Sequence, residues 1–197
     1  MSLFTDLLAN VYTVTNRPDL VAETTLAVKA ATLKLHRIDY FSKDLFETGV
    51  SFSTSDYFQT LDYKTIIPLF RTIKYLRKYD SVNLKPGIEL KAISIEKVLD
   101  GYGVERQDVF YQAGSVLQIK SSTQEQYYLI GAYLNPIIDP ATYNSWIAQE
   151  FPMSVVYVAA SIVFTAIHQA ETAAAMDKLA ASEMAEILMH NIETVGS

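Results

Sequence analysis

The chain contains no cysteine in 197 residues. Disulfide frameworks, thiolate catalysis, cysteine-held zinc and iron–sulfur clusters are excluded with it, and synthesis in a reducing cytoplasm is expected. Glycine is also scarce and unevenly placed. Six of the seven glycines lie between Tyr40 and Tyr143, together with eleven of the thirteen tyrosines. No Walker sequence, no G-x-S-x-G and no H-E-x-x-H occurs, so the short motifs of phosphate cradling, acyl transfer and zinc proteolysis are missing. Gly101-Tyr-Gly103-Val-Glu-Arg106 begins like a dinucleotide loop, but Arg106 stands where the third glycine belongs, and a turn is the simpler reading. Asp100, Glu105 and Asp108 do not keep the alternating ligand spacing of a calcium loop.

Positive charge is nearly absent from the last third. Up to Ile138 there are fifteen acidic and fifteen basic residues, whereas Asp139 to Ser197 holds seven acids and Lys178 alone. The formal net charge of −6 therefore sits in that final segment, which disfavours nonspecific nucleic-acid binding there, because phosphate neutralisation needs Lys and Arg. The opening Met1-Ser-Leu-Phe-Thr-Asp6 lacks the basic stretch and apolar run of a signal peptide, so export by that route is not expected. One segment, Phe151 to Ala170, carries no Asp, Glu, Lys or Arg. Its length fits a bilayer, but Ser154, Ser161, Thr165, His168 and Gln169 dilute it, and Glu150 and Glu171 flank it. A helix buried in a core or a subunit interface is the expectation, with a membrane-associated protein as an alternative.

Half of the residues are hydrophobic and 19% are charged, a composition that can bury a core and is too apolar for disorder. Periodicity predicts a first helix over Leu3 to Val14, a break at Thr15 to Pro18, and a longer helix beyond it, with Thr15 or Asn16 as cap and Pro18 in its first turn. Leu20, Thr24, Ala27, Ala31, Leu35 and Ile38 form the core-facing stripe. From Gly49 the pattern shifts to strands: Gly49 to Phe58, Phe70 to Tyr79, Ile88 to Ala92, Val109 to Gln112, Val116 to Lys120 and Tyr127 to Leu134. Ala113 to Ser115 and Ser121 to Glu125 read as turns of an antiparallel meander, interrupted by a short helix over Ile95 to Asp100. Helices return over Thr142 to Gln149, Pro152 to His168 and Glu171 to Ile192. The expected fold is α+β: a helical bundle built from residues 1–48 and 136–197, with a central antiparallel β-rich insert over 49–135.

Two groups of side chains invite a chemical reading. Each histidine has an acid three residues later, as His36 and Asp39, His168 and Glu171, and His190 and Glu193. On a helix such pairs share a face and could hold a metal, but the di-metal order Glu-x-x-His does not occur, and ordinary surface pairing is the stronger expectation. The one basic and aromatic cluster is Arg71, Lys74, Tyr75, Arg77, Lys78 and Tyr79. A strand of this composition suits an acidic partner, a charged edge that resists aggregation, or nucleic acid. These six, with Ala159, Ala160, Met184 and Leu188 on the helices, are the candidate partner-interface residues. No catalytic residue, cofactor or metal ligand is assigned.

The order helix pair, strand-rich segment, helices, together with Arg17-Pro-Asp-Leu20, Ile67-Pro-Leu-Phe-Arg71, Lys74-Tyr-Leu-Arg-Lys-Tyr-Asp80, Leu99-Asp-Gly-Tyr-Gly103 and Gln112-Ala-Gly114, resembles the head–tail adaptor (connector) proteins of tailed bacteriophages. In size and layout the likeness is to the tail tubular adaptor of short-tailed phages. The resemblance implies a structural virion protein of the neck, made in the host cytoplasm and assembled as a homo-oligomeric ring, usually a dodecamer. Such a ring docks beneath the portal protein, extends the channel through which DNA passes without specific binding, and carries tail or nozzle proteins. It implies no catalytic residues, no cofactor and no membrane, and it places portal contact near the carboxy-terminal segment, roughly Ala185 to Ser197. Another neck or tail component, such as a tail terminator or minor structural protein, is one alternative. A helical-bundle metal or small-molecule enzyme using the histidine and acid pairs is another.

Overall fold

A computed structural model describes residues 2–80, 85–99 and 103–195. The chain divides into two compact units, Met1–Asp44 with Asn135–Ser197, and Leu45–Leu134. Asp100 and Gly101, which bear on the expected short helix and the glycine-rich turn, lie outside the described residues, as do the last two residues of the chain.

The first unit is helical. Helix α1 (Leu3–Thr15) starts at Ser2, whose side chain accepts the Thr5 N–H, and buries Phe4, Leu7, Val11 and Thr15 along one face. Asn16 ends this helix in the left-handed region, at φ 52°. It therefore closes α1 and does not cap the next helix as its sequence position suggests. Helix α2 (Val21–His36) begins after Leu20 with no side-chain cap, and buries Thr24, Ala27, Val28, Ala31 and Leu35. The expected stripe is thus present, while Ile38 lies beyond it and is exposed.

Three further helices complete the unit: α4 (Trp146–Glu150), α5 (Pro152–Ala166) and α6 (Ala170–Val195). The expected helix over Thr142 to Gln149 is shorter, because Asn144 pairs its backbone with Ile137 and Ser145 becomes the cap, its side chain accepting the Ala148 N–H. Pro152 stands in the first turn of α5, where its missing N–H costs no helical bond. Helix α5 packs against α1, α2, α4 and α6, and Val155, Val156, Val158, Ala159, Ala160, Val163 and Phe164 are all buried. A helix covered on every side has no face for a charge, which accounts for the uncharged run. Among the described residues no helix is long and apolar enough to cross a membrane.

The second unit is a five-stranded sheet: β1 (Leu45–Asp62), β2 (Phe70–Asp80), β3 (Lys85–Ala92), β4 (Val109–Ala113) and β5 (Val116–Leu134). A one-turn helix, α3 (Tyr63–Ile66), links the first two strands. The strand order is β1-β5-β2-β3-β4, and β4 pairs back onto β5. Four strands, β5, β2, β3 and β4, thus close into a barrel, and β1 adds to the outer side of β5. Two expectations are corrected here. The sheet is not an antiparallel meander, since β3 and β4 run parallel through Lys91 to Val109 and Ala92 to Phe110. Helices hold 44% and strands 36% of the chain, so the fold is α+β with a barrel-forming sheet, not a helical bundle carrying a central antiparallel insert.

Closure follows from the length of β5. Its first half pairs with β4 and the end of β1, and its second half with β2 and the start of β1. Ser121 to Glu125, read as a turn, remains inside this strand because side chains supply partners to the backbone. Asp108 accepts the Ser122 N–H at 2.9 Å, and the Gln59 amide donates to the Glu125 carbonyl at 2.7 Å. Inside the unit pack Leu61, Ile67, Leu76, Leu90, Leu117, Ile119 and Ile130.

The Thr24 hydroxyl is buried in α2 with no hydrogen-bond partner. Replacement of that hydroxyl by a methyl group removes an unmet polar atom at nearly constant shape, so Thr24→Val is expected to raise unfolding free energy by about 1 kcal/mol. Urea titration of the two proteins measures the difference.

Candidate interaction surface

Most of the basic and aromatic strand that stood out in the sequence is committed to its own sheet. Lys78 is buried, with its ammonium 2.7 Å from Asp108 and within 3.1 Å of the Ser122 hydroxyl and 2.9 Å of the Thr123 hydroxyl. Arg77 pairs with Glu89 across the β2–β3 ladder at 2.9 Å and lies 4.9 Å above the Tyr75 ring. Tyr75 donates its hydroxyl to Glu47 and lays its ring across Gly131, where any β-carbon would stand 2.5 Å from the ring atoms. Gly131 is therefore the gap in β5 that lets the tyrosine lie flat. Lys74 is exposed with its ammonium 5.6 Å above the Tyr133 ring, and Arg71 and Tyr79 are half-buried. The strand offers a partner much less free positive charge than its composition suggests.

A cleft of about 510 Å³ opens beside Lys78, lined in part by Tyr79, Ile88, Gln124 and Tyr127. Its buried cation is matched by Asp108. Burial alone pushes the Asp108 carboxyl up, but the Lys78 ammonium and the Ser122 N–H and hydroxyl outweigh it and hold the carboxyl below its ordinary value. Nearby, burial pushes the Tyr128 phenol up to about 12.

On the helical unit the interface candidates divide. Ala159 and Ala160 are fully buried within the unit, so their small size serves the packing of α5 against its own neighbours. Met184 and Leu188 are half-buried on the inner side of α6, against the same core.

Among the described residues the histidines are not gathered into the helical metal site considered from their spacing. Among the described residues no group of three or more His, Asp or Glu side chains could hold a metal. His36 pairs with Asp44, eight residues on, at 2.9 Å and 3.0 Å. His168 turns the chain from α5 to α6 at φ 61°. His190 lies 3.7 Å from Glu150, and the Glu193 side chain lies outside the described residues.

Asp44, His36 and Ser145 nevertheless form a carboxylate–imidazole–hydroxyl chain that the sequence did not flag. His36 Nδ1 faces Asp44, and Nε2 is 2.9 Å from the Ser145 hydroxyl. The same order serves acyl transfer elsewhere. Here all three side chains are buried, Ser145 caps α4 through the Ala148 N–H, and Asp44 also accepts the Trp146 indole N–H at 2.8 Å. These contacts hold α2, α4 and the Ser42–Asp44 turn together, and the Ser145 side chain is 2% exposed.

The exposed apolar side chains are more informative about partners. Tyr57, Phe58, Ile88, Ile95, Leu99 and Val104 on the sheet unit are at least half exposed, as are Val21, Leu26 and Met189 on the helical unit. Net charge, by contrast, belongs to one unit alone. Residues 1–44 and 135–197 hold twelve acids and six basic residues, while 45–134 holds ten of each.

No protein-family model matches the chain, and no curated protein matches it.

Loss of Lys78 would strand the Asp108 carboxylate in a mostly enclosed site, so Lys78→Ala is expected to lower unfolding free energy by about 2–3 kcal/mol. Arg77→Ala, which opens a pair that water already reaches, should cost under about 1 kcal/mol; chemical denaturation distinguishes the two. Because the Asp108 carboxyl is held low in the folded chain, its stabilisation is complete above the unfolded carboxyl value near ~4 and fades as pH falls through the lower folded value. Asp108→Asn should therefore flatten the acid limb of a stability-against-pH profile and leave the shape above pH ~5 unchanged.

Proposed function

We propose that this chain is a structural virion protein, a head–tail adaptor that assembles as a ring between portal and tail and extends the DNA channel. The reading starts from the resemblance in the quoted motifs. The observation that carries it is the presence of large, at least half-exposed apolar side chains on both compact units. Exposed apolar groups that gather into patches mark surfaces meant for other proteins, and a link in a multiprotein assembly needs such surfaces on more than one part of its chain. Leu99 and Val104, beside the paired Leu99 and Glu105 backbone, supply one such group, and Val21 and Leu26 stand exposed on α2.

Charge placement fits the same role. A helical unit with a net charge of −6 repels phosphate, which suits a channel wall along which a duplex slides, and it can instead meet a basic portal surface. The neutral sheet unit is then the part suited to tail or nozzle proteins. The reading assigns no catalytic residue and no cofactor, and it places the protein in the virion neck after synthesis in the host cytoplasm.

Electron microscopy of the purified protein mixed with its portal tests the proposal. Rings seated on the portal are the expected result, and a protein that neither forms rings nor binds portal sinks it. The same preparation should leave the mobility of linear duplex DNA unchanged at physiological salt.

A further inference from the structure

Helix α6 holds the helical unit with one side and leaves the other bare. Ala173, Ala180 and Ile187 are buried at seven-residue steps. Opposite them lies a stripe centred on Ser182, made of Ala175, Lys178, Leu179, Ser182, Ala185, Glu186 and Met189, and every one of these side chains is exposed. At about 100° per residue, all seven point within about 60° of the Ser182 direction. Leu179 and Met189 are large apolar groups in this exposed stripe, at 44% and 63% exposure.

The stripe is complementary to its own reversal. Three residues either side of Ser182 stand Leu179 and Ala185, four either side stand Lys178 and Glu186, and seven either side stand Ala175 and Met189. Each pair joins a large side chain to a small one, or a cation to an anion. A twofold axis at Ser182, perpendicular to the helix, brings a second α6 alongside in the antiparallel sense. The two Ser182 side chains then meet at the axis, where their small size lets the helices approach closely. Lys178 of each copy reaches Glu186 of the other, Met189 covers Ala175, and Leu179 covers Ala185. Parallel pairing would instead set Lys178 against Lys178 and Glu186 against Glu186. Neither of these charges forms an ion pair among the described residues within the chain, so both are available.

We infer that the outer face of α6 is covered by a second copy of this chain in an antiparallel, isologous dimer. Such a contact closes on itself and cannot propagate around a ring. It therefore describes the protein outside the ring and stands independently of the adaptor reading. A single helix-on-helix contact falls below the ~1,200 Å² of standard interfaces, so the dimer depends on concentration.

The absence of native cysteine makes the test direct. Ser182→Cys, a change of one atom, should form a covalent dimer on oxidation or with a short thiol crosslinker. Ala175→Cys and Met189→Cys should each stay uncrosslinked alone and join when mixed. In sedimentation equilibrium, Lys178→Glu or Glu186→Lys should weaken the dimer by about tenfold, and the two together should restore it. Circular dichroism would verify that each variant keeps its helices. A wild-type protein that sediments as a monomer at all concentrations overturns the inference. So does ready self-crosslinking of Ala175→Cys, or a double charge reversal that binds no better than either single change.

Discussion

The helical unit depends on satisfying one buried carboxylate. Asp44 sits in the turn that ends the amino-terminal half of that unit, and its oxygens take the His36 imidazole and the Trp146 indole N–H. His36 is the last residue of α2, and Trp146, 102 residues beyond Asp44, is the first of α4, so one acidic side chain ties the two helices together. A buried carboxyl group with such partners is costly to disturb, because removing any one leaves a buried polar group unpaired. Ser145 extends the cluster by capping α4 while meeting the other imidazole nitrogen. The arrangement looks like catalytic machinery in its order of groups and behaves as a fastening in its burial.

The sheet unit solves a comparable problem with Lys78. The side chain alternation of a strand directs Leu76 and Lys78 to the same enclosed side, so a cation enters a site that composition would reserve for an aliphatic residue. Asp108, Ser122 and Thr123 gather around it and join β2 to the middle of β5 and to the residue preceding β4. That cluster also keeps Ser121 to Glu125 in extended form. Polar groups thus take part in closing the barrel beside its apolar interior.

Much of the local structure was legible because it rests on local causes. The apolar stripes of α1 and α2, Pro152 at the start of α5, and the β-branched runs of β2 and β5 all write their conformation into neighbouring residues. What stayed hidden depends on residues far apart in sequence. The partner of His36 lies beyond the end of its helix, where helical spacing has no meaning. Ser and Thr in residues 121–123 look like turn formers until Asp108 and Lys78 are brought beside them. The parallel pairing of β3 with β4 involves two residue pairs and leaves no trace in either strand's pattern. The burial of Lys78 and Ala160 was hidden for the same reason: both read alike whether they face solvent, a partner or their own core.

The helical unit is assembled from the two ends of the chain, with the sheet encoded between them. During synthesis, α1 and α2 emerge with their apolar faces complete, yet the central helix that covers them is not made until residues 152–166. The strands are all available by Leu134. The barrel's strands are therefore all made before α5, so the barrel can close while α1 and α2 still wait for the helix that covers them. Until α5 is made, the apolar stripe of α2 stands open to chaperones or to misassociation.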